Sequence, residues 1–233
     1  MAINGTIGII GAMQPEVEAL SAIIENKKVE EFSGIEYIQG TIYGHDVVLA
    51  KCGVGKVFAA VCAQTMILKY KPEIIVNTGV GGSLSSDLKI LDVAIADKVV
   101  QYDMDTTAIG DPLGLISGIN KIYFECDQEF NTKIKSIAEG LGAHTMTGVI
   151  ASGDAFVNDS AKKQFIAESF DAIVCEMEGA SIGHVAYINN TKFAILRSIS
   201  DNGDENSNID FATVLEKACD VSFKIWDAFF KSL

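Results

Sequence analysis

A chain of 233 residues with 48% hydrophobic content carries enough apolar surface for a sizeable core. No Pro-, Gly- or Ser-rich linker divides it, so residues 1–233 read as one domain. The net charge of −13 and a single arginine, Arg197, argue against a nucleic-acid partner and against any grip on several phosphates. Apolar runs are too short or too broken by Gly to span a bilayer, so no membrane partner is expected. Residues 1–5 lack the positive flank of a secretory signal. Five scattered cysteines without a C-x-x-C pair fit buried thiols in a reducing, cytoplasmic setting. The three histidines, His45, His144 and His184, have no metal-ligand spacing, and no metal or other cofactor is expected.

The first apolar run, residues 6–10, reads as a short strand. Gly11-Ala12-Met13-Gln14-Pro15-Glu16 follows, then Val17, Leu20 and Ile24 at helical spacing. Pro15 suits a first helical turn, which puts Glu16 near both a strand end and a helix N-terminus. There it is either a dipole complement or a functional carboxylate. Residues 35–39 and 47–50 flank Tyr43-Gly44-His45-Asp46 as a hairpin.

Cys52-Gly53-Val54-Gly55-Lys56 leads into a helix to about Leu68, ended by Pro72. It is not a P-loop, because Ala50 and Val57 stand where Gly and Ser or Thr are needed. The strand at 74–77 feeds a second glycine stretch, Thr78-Gly79-Val80-Gly81-Gly82-Ser83, read as a loop. It misses the dinucleotide fingerprint, since Leu84 occupies the third Gly position. Both stretches are explained by tight turning or by a backbone that approaches a ligand closely.

Residues 90–101 read as extended and 102–114 as a long loop, the kind that is usually functional or mobile. Phe130, Ile134, Ile137, Ala138 and Leu141 mark an amphipathic helix. Val149-Ile150-Ala151 ends a strand at Ser152-Gly153-Asp154-Ala155-Phe156-Val157, where Ser152 and Asp154 suit a turn bonded to its own backbone. Ser160 is expected to cap the next helix.

The run Ala172-Ile173-Val174-Cys175 then stops at Glu176-Met177-Glu178. With a spacing of two, an extended backbone would put both carboxylates on one side and Met177 on the other. The plainer alternative has Glu178 complementing a helix N-terminus and Glu176 in solvent. A helix follows through His184 to about Tyr187. Residues 192–199 form the last strand, ending in Ser200-Asp201-Asn202-Gly203-Asp204, a tail rich in turn residues. The closing helix, about 211–233, carries Trp226, Phe229 and Phe230 as core or interface residues.

Several strand ends thus share a signature. Gly11-Ala12-Met13 with Glu16, Asn77-Thr78-Gly79, Ser152-Gly153-Asp154-Ala155-Phe156, Glu176-Met177-Glu178-Gly179-Ala180 and Arg197-Ser198-Ile199-Ser200-Asp201 occur in this order across nearly the whole chain. The set closely resembles the bacterial methylthioadenosine/S-adenosylhomocysteine nucleosidases of the nucleoside phosphorylase superfamily.

That resemblance implies a three-layer α/β/α sandwich around a mixed central sheet. It also implies a homodimer with a shared active site, and hydrolysis of the N-glycosidic bond between adenine and a 5′-thio-substituted ribose. It places the general base on Glu16, the general acid on Asp201 and the ribose grip on Met177 and Glu178, with Glu176 and Ser200 in the same site. Phe156 would stack on adenine, the backbone of Val157 would read its edge, and Arg197 would help hold the water. Gly82 would lie beside the ribose, with Val80 in the same stretch. An apolar 5′ pocket would be lined by Met13, Val54 and Phe211, with Ile109 from the other chain.

The chemistry is coherent. Adenine leaves easily once its ring is protonated, and an ionised carboxylate favours the oxocarbenium-like sugar left behind. Phosphorolysis is the nearest competitor, but no Lys or Arg precedes Lys27 and Glu16 would repel a phosphate. A nucleoside-binding protein without activity is the alternative from another class. Two features depart from the commonest family pattern. Val80-Gly81-Gly82 replaces Ser-Ala-Gly, and the long loop has Tyr102 and Ile109 where His and Phe are frequent. The 5′ substituent stays open among methylthio, homocysteinyl, 5′-deoxy and 6-amino-6-deoxyfutalosine-type groups.

Overall fold

The computed structural model describes residues 3–233, the side chain of Ile209 excepted. Met1 and Ala2, part of the segment read above for a secretory signal, lie outside the described residues. Among the described residues there are ten strands and six α-helices. They are β1 (Ile7–Gly11), α1 (Gln14–Ile23), β2 (Glu25–Phe32), β3 (Ile35–Ile42), β4 (His45–Lys51), α2 (Lys56–Tyr70), β5 (Ile74–Ser83) and β6 (Val93–Gln101), then β7 (Tyr123–Glu125), α3 (Gln128–Gly140), β8 (Thr145–Ser152), α4 (Ser160–Phe170), β9 (Ala172–Glu176), α5 (Gly179–Ile188), β10 (Lys192–Asp201) and α6 (Ser207–Lys231).

The strands join in one mixed sheet in the order β10-β6-β8-β9-β5-β1-β4-β3-β2, with β7 added to β6. Because β10 also pairs with β5, five strands close on themselves, and β1, β4, β3 and β2 extend from that ring as an open sheet. β5 is buried at all ten positions, as expected of a strand covered on both faces.

One face of the sheet is covered by α1, α3 and α6 through Val17, Leu20, Phe130, Ile134, Trp226 and Phe229. α2 and α5 cover the opposite face through Ala59, Cys62, Met66, Ile182 and Val185, giving the expected three layers. The aromatics of α6 are core residues. Trp226 keeps its indole N–H satisfied by donating to Thr78 Oγ1 at 2.8 Å, which lets a polar ring atom stay in the interior.

Three local expectations change, and one strand, β2, was not foreseen. Ile24 is buried but already extended, because the helix stops at Ile23 and β2 begins at once. β2 itself has an almost fully exposed, charged sequence without apolar alternation; pairing with β3 forms it, and its charges suit a sheet edge. The glycine stretch 78–83 is strand, the second half of β5. The cap of α4 is Asp159, which accepts from Lys162 N at 2.7 Å, with Ser160 the first helical residue.

Candidate active site

The carboxyl ends of β1, β9 and β10 converge with the second half of β5, as ligand sites do in open α/β sheets. They enclose a cavity of about 360 Å³, within the usual range for a small-molecule site. Its lining includes Met13, Glu16, Val54, Val80, Gly82, Phe156, Val157, Glu176, Met177, Glu178, Ser200, Asp201 and Phe211. Thirteen expected site residues therefore meet in one place. Arg197 and Ile109 are outside the lining. Ile109 sits in a short 3₁₀ turn, Thr107–Ile109, and is 82% exposed.

Glu16 occupies the first turn of α1, and its carboxylate folds back over the start of its own helix. Oε2 accepts from Ala12 N at 2.7 Å and Met13 N at 2.8 Å, while Oε1 accepts from Val80 N at 3.1 Å. It is thus both a helix cap and a cavity carboxylate. Burial raises its proton affinity above the ordinary carboxylate range, against the lowering effects of Arg197 and these three N–H groups.

The glycines of β5 make room for such groups. A Cβ at Gly79 would stand 2.5 Å from Glu16 Oε1, and one at Gly82 would stand 2.8 Å from Asp201 Oδ1. The close approach is therefore to the protein's own carboxylates.

Glu176 and Glu178 share the cavity but differ in their partners. Glu176 accepts from the backbone N–H groups of Glu178 at 3.1 Å and Gly179 at 2.8 Å, from Ser152 Oγ, and from Arg197. It is the one that caps α5, and it is buried, which reverses the assignment that put Glu178 at the helix and Glu176 in water. Glu178 instead accepts from Gly55 N at 2.9 Å, across from the first glycine stretch. Burial first, then the negative charge of Glu176, pushes its carboxyl up to about 8, with Arg197 and the Gly55 N–H opposing. Met177 does not turn away, because the strand ends at Glu176 and the chain bends; it lines the same cavity.

Arg197 is 1% exposed and lies behind the carboxylates. It donates to Glu176, to Asn77 Oδ1 and to the Leu196 carbonyl, and Glu178 Oε2 lies 4.0 Å away. The sole arginine is thus the counter-ion of a cluster of glutamates, and none of the cavity-lining residues is Lys, Arg or His.

Asp201 closes β10. Ser200 Oγ donates to its Oδ2 at 2.8 Å and Gly203 N to its Oδ1 at 2.9 Å, so the turn chemistry read in the sequence also holds the side chain at the cavity. The opposite wall is aromatic, with Phe156 and Phe211 edge to face, centroids 5.6 Å apart.

Three partners were not foreseen. Ser152 and Asp154 serve other loops, Ser152 bonding Glu176 and Ala180 N, Asp154 accepting from Lys56 N. Asn77 links Arg197 to β1 by donating to the Ile10 carbonyl at 2.9 Å. Ser152, Asp154 and Asn77 all stood in the recurring motifs, but short-range sequence cannot identify a partner 24 to 120 positions away. Among the described residues no group of His, Cys, Asp and Glu is placed to hold a metal, and no helix is long and apolar enough to cross a membrane.

The chain is similar to known proteins over nearly its whole length. Residues 6–231 match the phosphorylase superfamily. The chain is 36% identical over 213 residues to a 5′-methylthioadenosine/S-adenosylhomocysteine nucleosidase of Shewanella sp. (strain W3-18-1), covering 91% of this chain and 92% of that protein. The crystal structure of the nucleosidase of that name from Neisseria meningitidis, in complex with methylthio-immucillin-A, superposes with a TM-score of 0.94. It is 34% identical, with 98% of this chain and 100% of that one covered. The native structure of a futalosine hydrolase of Helicobacter pylori strain 26695 superposes with a TM-score of 0.93 at 34% identity, with 98% of both chains covered.

Proposed function

The chain belongs to the phosphorylase superfamily and, within it, to the 5′-methylthioadenosine/S-adenosylhomocysteine nucleosidases, N-glycosyl hydrolases, and from that premise we propose that it hydrolyses the bond between adenine and a 5′-thio-substituted ribose in a single domain spanning 1–233. The observation that carries the proposal is the meeting of Glu16, Glu178 and Asp201 around one cavity of nucleoside size with an aromatic wall.

Asp201 protonates the purine at N7 as the glycosidic bond breaks, so that adenine departs neutral. Glu178 holds the ribose 2′-hydroxyl, with Met177 against the sugar, and its ionised form, which Arg197 and the Gly55 N–H favour against burial, stabilises the oxocarbenium-like carbon. Glu16 takes the proton of the attacking water. Phe156 stacks on adenine, and the Val157 backbone reads its edge. Arg197 acts from behind the site, holding Glu176 and drawing on Glu16 and Glu178. Val80 contributes its backbone N–H to Glu16, so the hydroxyl missing from the Val80-Gly81-Gly82 stretch is not needed to orient that base.

The acceptor is water. A phosphate would need cations, and the lining offers none while presenting four carboxylates. Met13, Val54 and Phe211 form the apolar 5′ side, suited to a thioether substituent. Val57 and Phe58 on α2, 74% and 54% exposed, and Ile109 form apolar surface suited to burial in a homodimer whose partner completes that side. The setting is cytoplasmic.

Free adenine measured by HPLC tests this reading, with methylthioadenosine, S-adenosylhomocysteine, 5′-deoxyadenosine and 6-amino-6-deoxyfutalosine as substrates, with and without phosphate. Release independent of phosphate is expected. Dependence on phosphate would make the chain a phosphorylase, and folded but inert protein would make it a nucleoside binder.

A further inference from the structure

Val54 apart, the first glycine stretch remains without a role in the chemistry above, although its Gly55 N–H makes the one protein hydrogen bond to the Glu178 carboxylate among the described residues. Gly55 has φ +101, a conformation L side chains rarely adopt, and precedes α2 without capping it by a side chain. The cap comes from another loop, where Asp154 Oδ1 accepts from Lys56 N at 2.8 Å. The Lys56 side chain turns away from the cavity to Asp103 Oδ1 at 2.6 Å, and to Gln101 Oε1 at 3.3 Å. Asp103 Oδ2 in turn accepts from Asp154 N at 3.0 Å. The Lys56 carbonyl accepts from Ser181 Oγ at 2.7 Å, tying the same residue to α5.

Three segments from distant parts of the chain are therefore closed into one ring. They are the glycine stretch before α2, the start of the long loop after β6, and the loop after β8 that carries Phe156. We propose that Lys56, Asp103 and Asp154 act as positioning residues, a three-point clamp that aims the Gly55 N–H at Glu178 and so sets the proton affinity of that carboxylate. The inference rests on the reading of Glu178 as the ribose-holding group.

The physical argument is directional. A peptide N–H donates only along its own plane, and the plane at Gly55 is free to rotate unless its neighbour is held. Asp154 holds that neighbour at the backbone, and Asp103 holds both Asp154 and the Lys56 side chain. An N–H aimed at a carboxylate favours its ionised form. The other charged or titratable groups facing Glu178 are Glu176 and Glu16, which oppose ionisation, Arg197, which favours it, and the Cys52 thiol. None of these four touches the clamp in the hydrogen bonds described, so the clamp can be altered separately.

The test follows Glu178 itself, by ¹³C-carboxyl NMR titration of the full chain, its signal assigned by loss in Glu178→Gln. In Asp154→Ala the Glu178 midpoint is expected to rise by about half to one pH unit, as one directed hydrogen bond is lost. Asp154→Asn keeps an acceptor oxygen for Lys56 N and should restore the wild-type midpoint. Lys56→Met and Asp103→Asn keep the backbone cap and should give smaller rises in the same direction. Adenine release should show a fall in kcat of about tenfold in Asp154→Ala with little change in KM. An unchanged Glu178 midpoint in Asp154→Ala and Lys56→Met, with only melting temperatures lowered, overturns the clamp. Wild-type protein that releases no adenine would sink the functional proposal alone, because the titration reads the clamp without turnover.

Discussion

Replacing Glu178 by Gln should make the protein more stable at alkaline pH while removing its activity. In the native chain Glu178 is 6% exposed, and its carboxyl is carried from its ordinary 4.5 to about 8, chiefly by burial and by Glu176. The folded chain therefore binds a proton that the unfolded chain releases. Stability from this group is complete below pH 4.5 and is lost as pH rises to about 8. At ~1.4 kcal/mol for each tenfold change in proton affinity, the full difference is roughly 5 kcal/mol. Glu16, also raised by burial and facing Glu178, takes up part of the response, so a difference of about 2–5 kcal/mol is expected to develop across that window.

Glutamine keeps the shape and an oxygen for the Gly55 N–H without the charge. Urea unfolding of both proteins at pH 5 and pH 9 measures the effect, because groups common to both cancel in the difference. The variant should gain on the wild type as pH rises. A stability difference that is flat from pH 5 to pH 9, or that moves against the variant, would show that Glu178 is ionised without cost in the folded chain, and the reasoning from burial would be wrong.

Asp201→Asn and Glu16→Gln should each lower adenine release by about 10²–10⁴-fold while far-ultraviolet circular dichroism stays native, since each removes one proton-transfer group; activity within threefold of wild type would remove that residue from the mechanism. Gly79→Ala places a Cβ 2.5 Å from Glu16 Oε1, so it should cost about 1–3 kcal/mol and displace the base; a melting temperature and kcat equal to wild type would contradict that contact. Arg197→Met leaves Glu176 buried without its cation, with an expected loss of about 3–5 kcal/mol. Urea midpoints with and without Glu176→Gln in the same chain check it, since removing the charge should recover part of the loss, and no recovery would mean that charge is not the cause.

Local sequence was enough for the helices with clear apolar stripes, such as α3, and for strands made of continuous apolar runs, such as β1 and β9, because both patterns are set by the backbone period. The ordered motifs at strand ends carried the family resemblance, and it was that resemblance, not the local pattern, that implied which residues would share a site. β2 was not legible. Its residues 25–32 are charged and exposed, and only the free edge of β3 makes them a strand. The glycines at 79, 81 and 82 looked like a loop because nothing local reveals that Glu16, Val174 and Asp201 occupy the space their side chains would need.

What the amino-acid order determined alone was which residue types stand at which strand ends, and with them the class of chemistry available. What only the tertiary structure decided was how those residues divide the work. Glu176 and Glu178 are two positions apart and chemically identical, yet one is held by Arg197, Ser152 and the start of α5, and the other faces the cavity with a single N–H from Gly55. A carboxylate's proton affinity depends on solvent exclusion and on the direction of its hydrogen-bond donors, and the donors from Arg197, Ser152 and Gly55 stand 21 to 123 positions away in segments that meet only when the sheet closes.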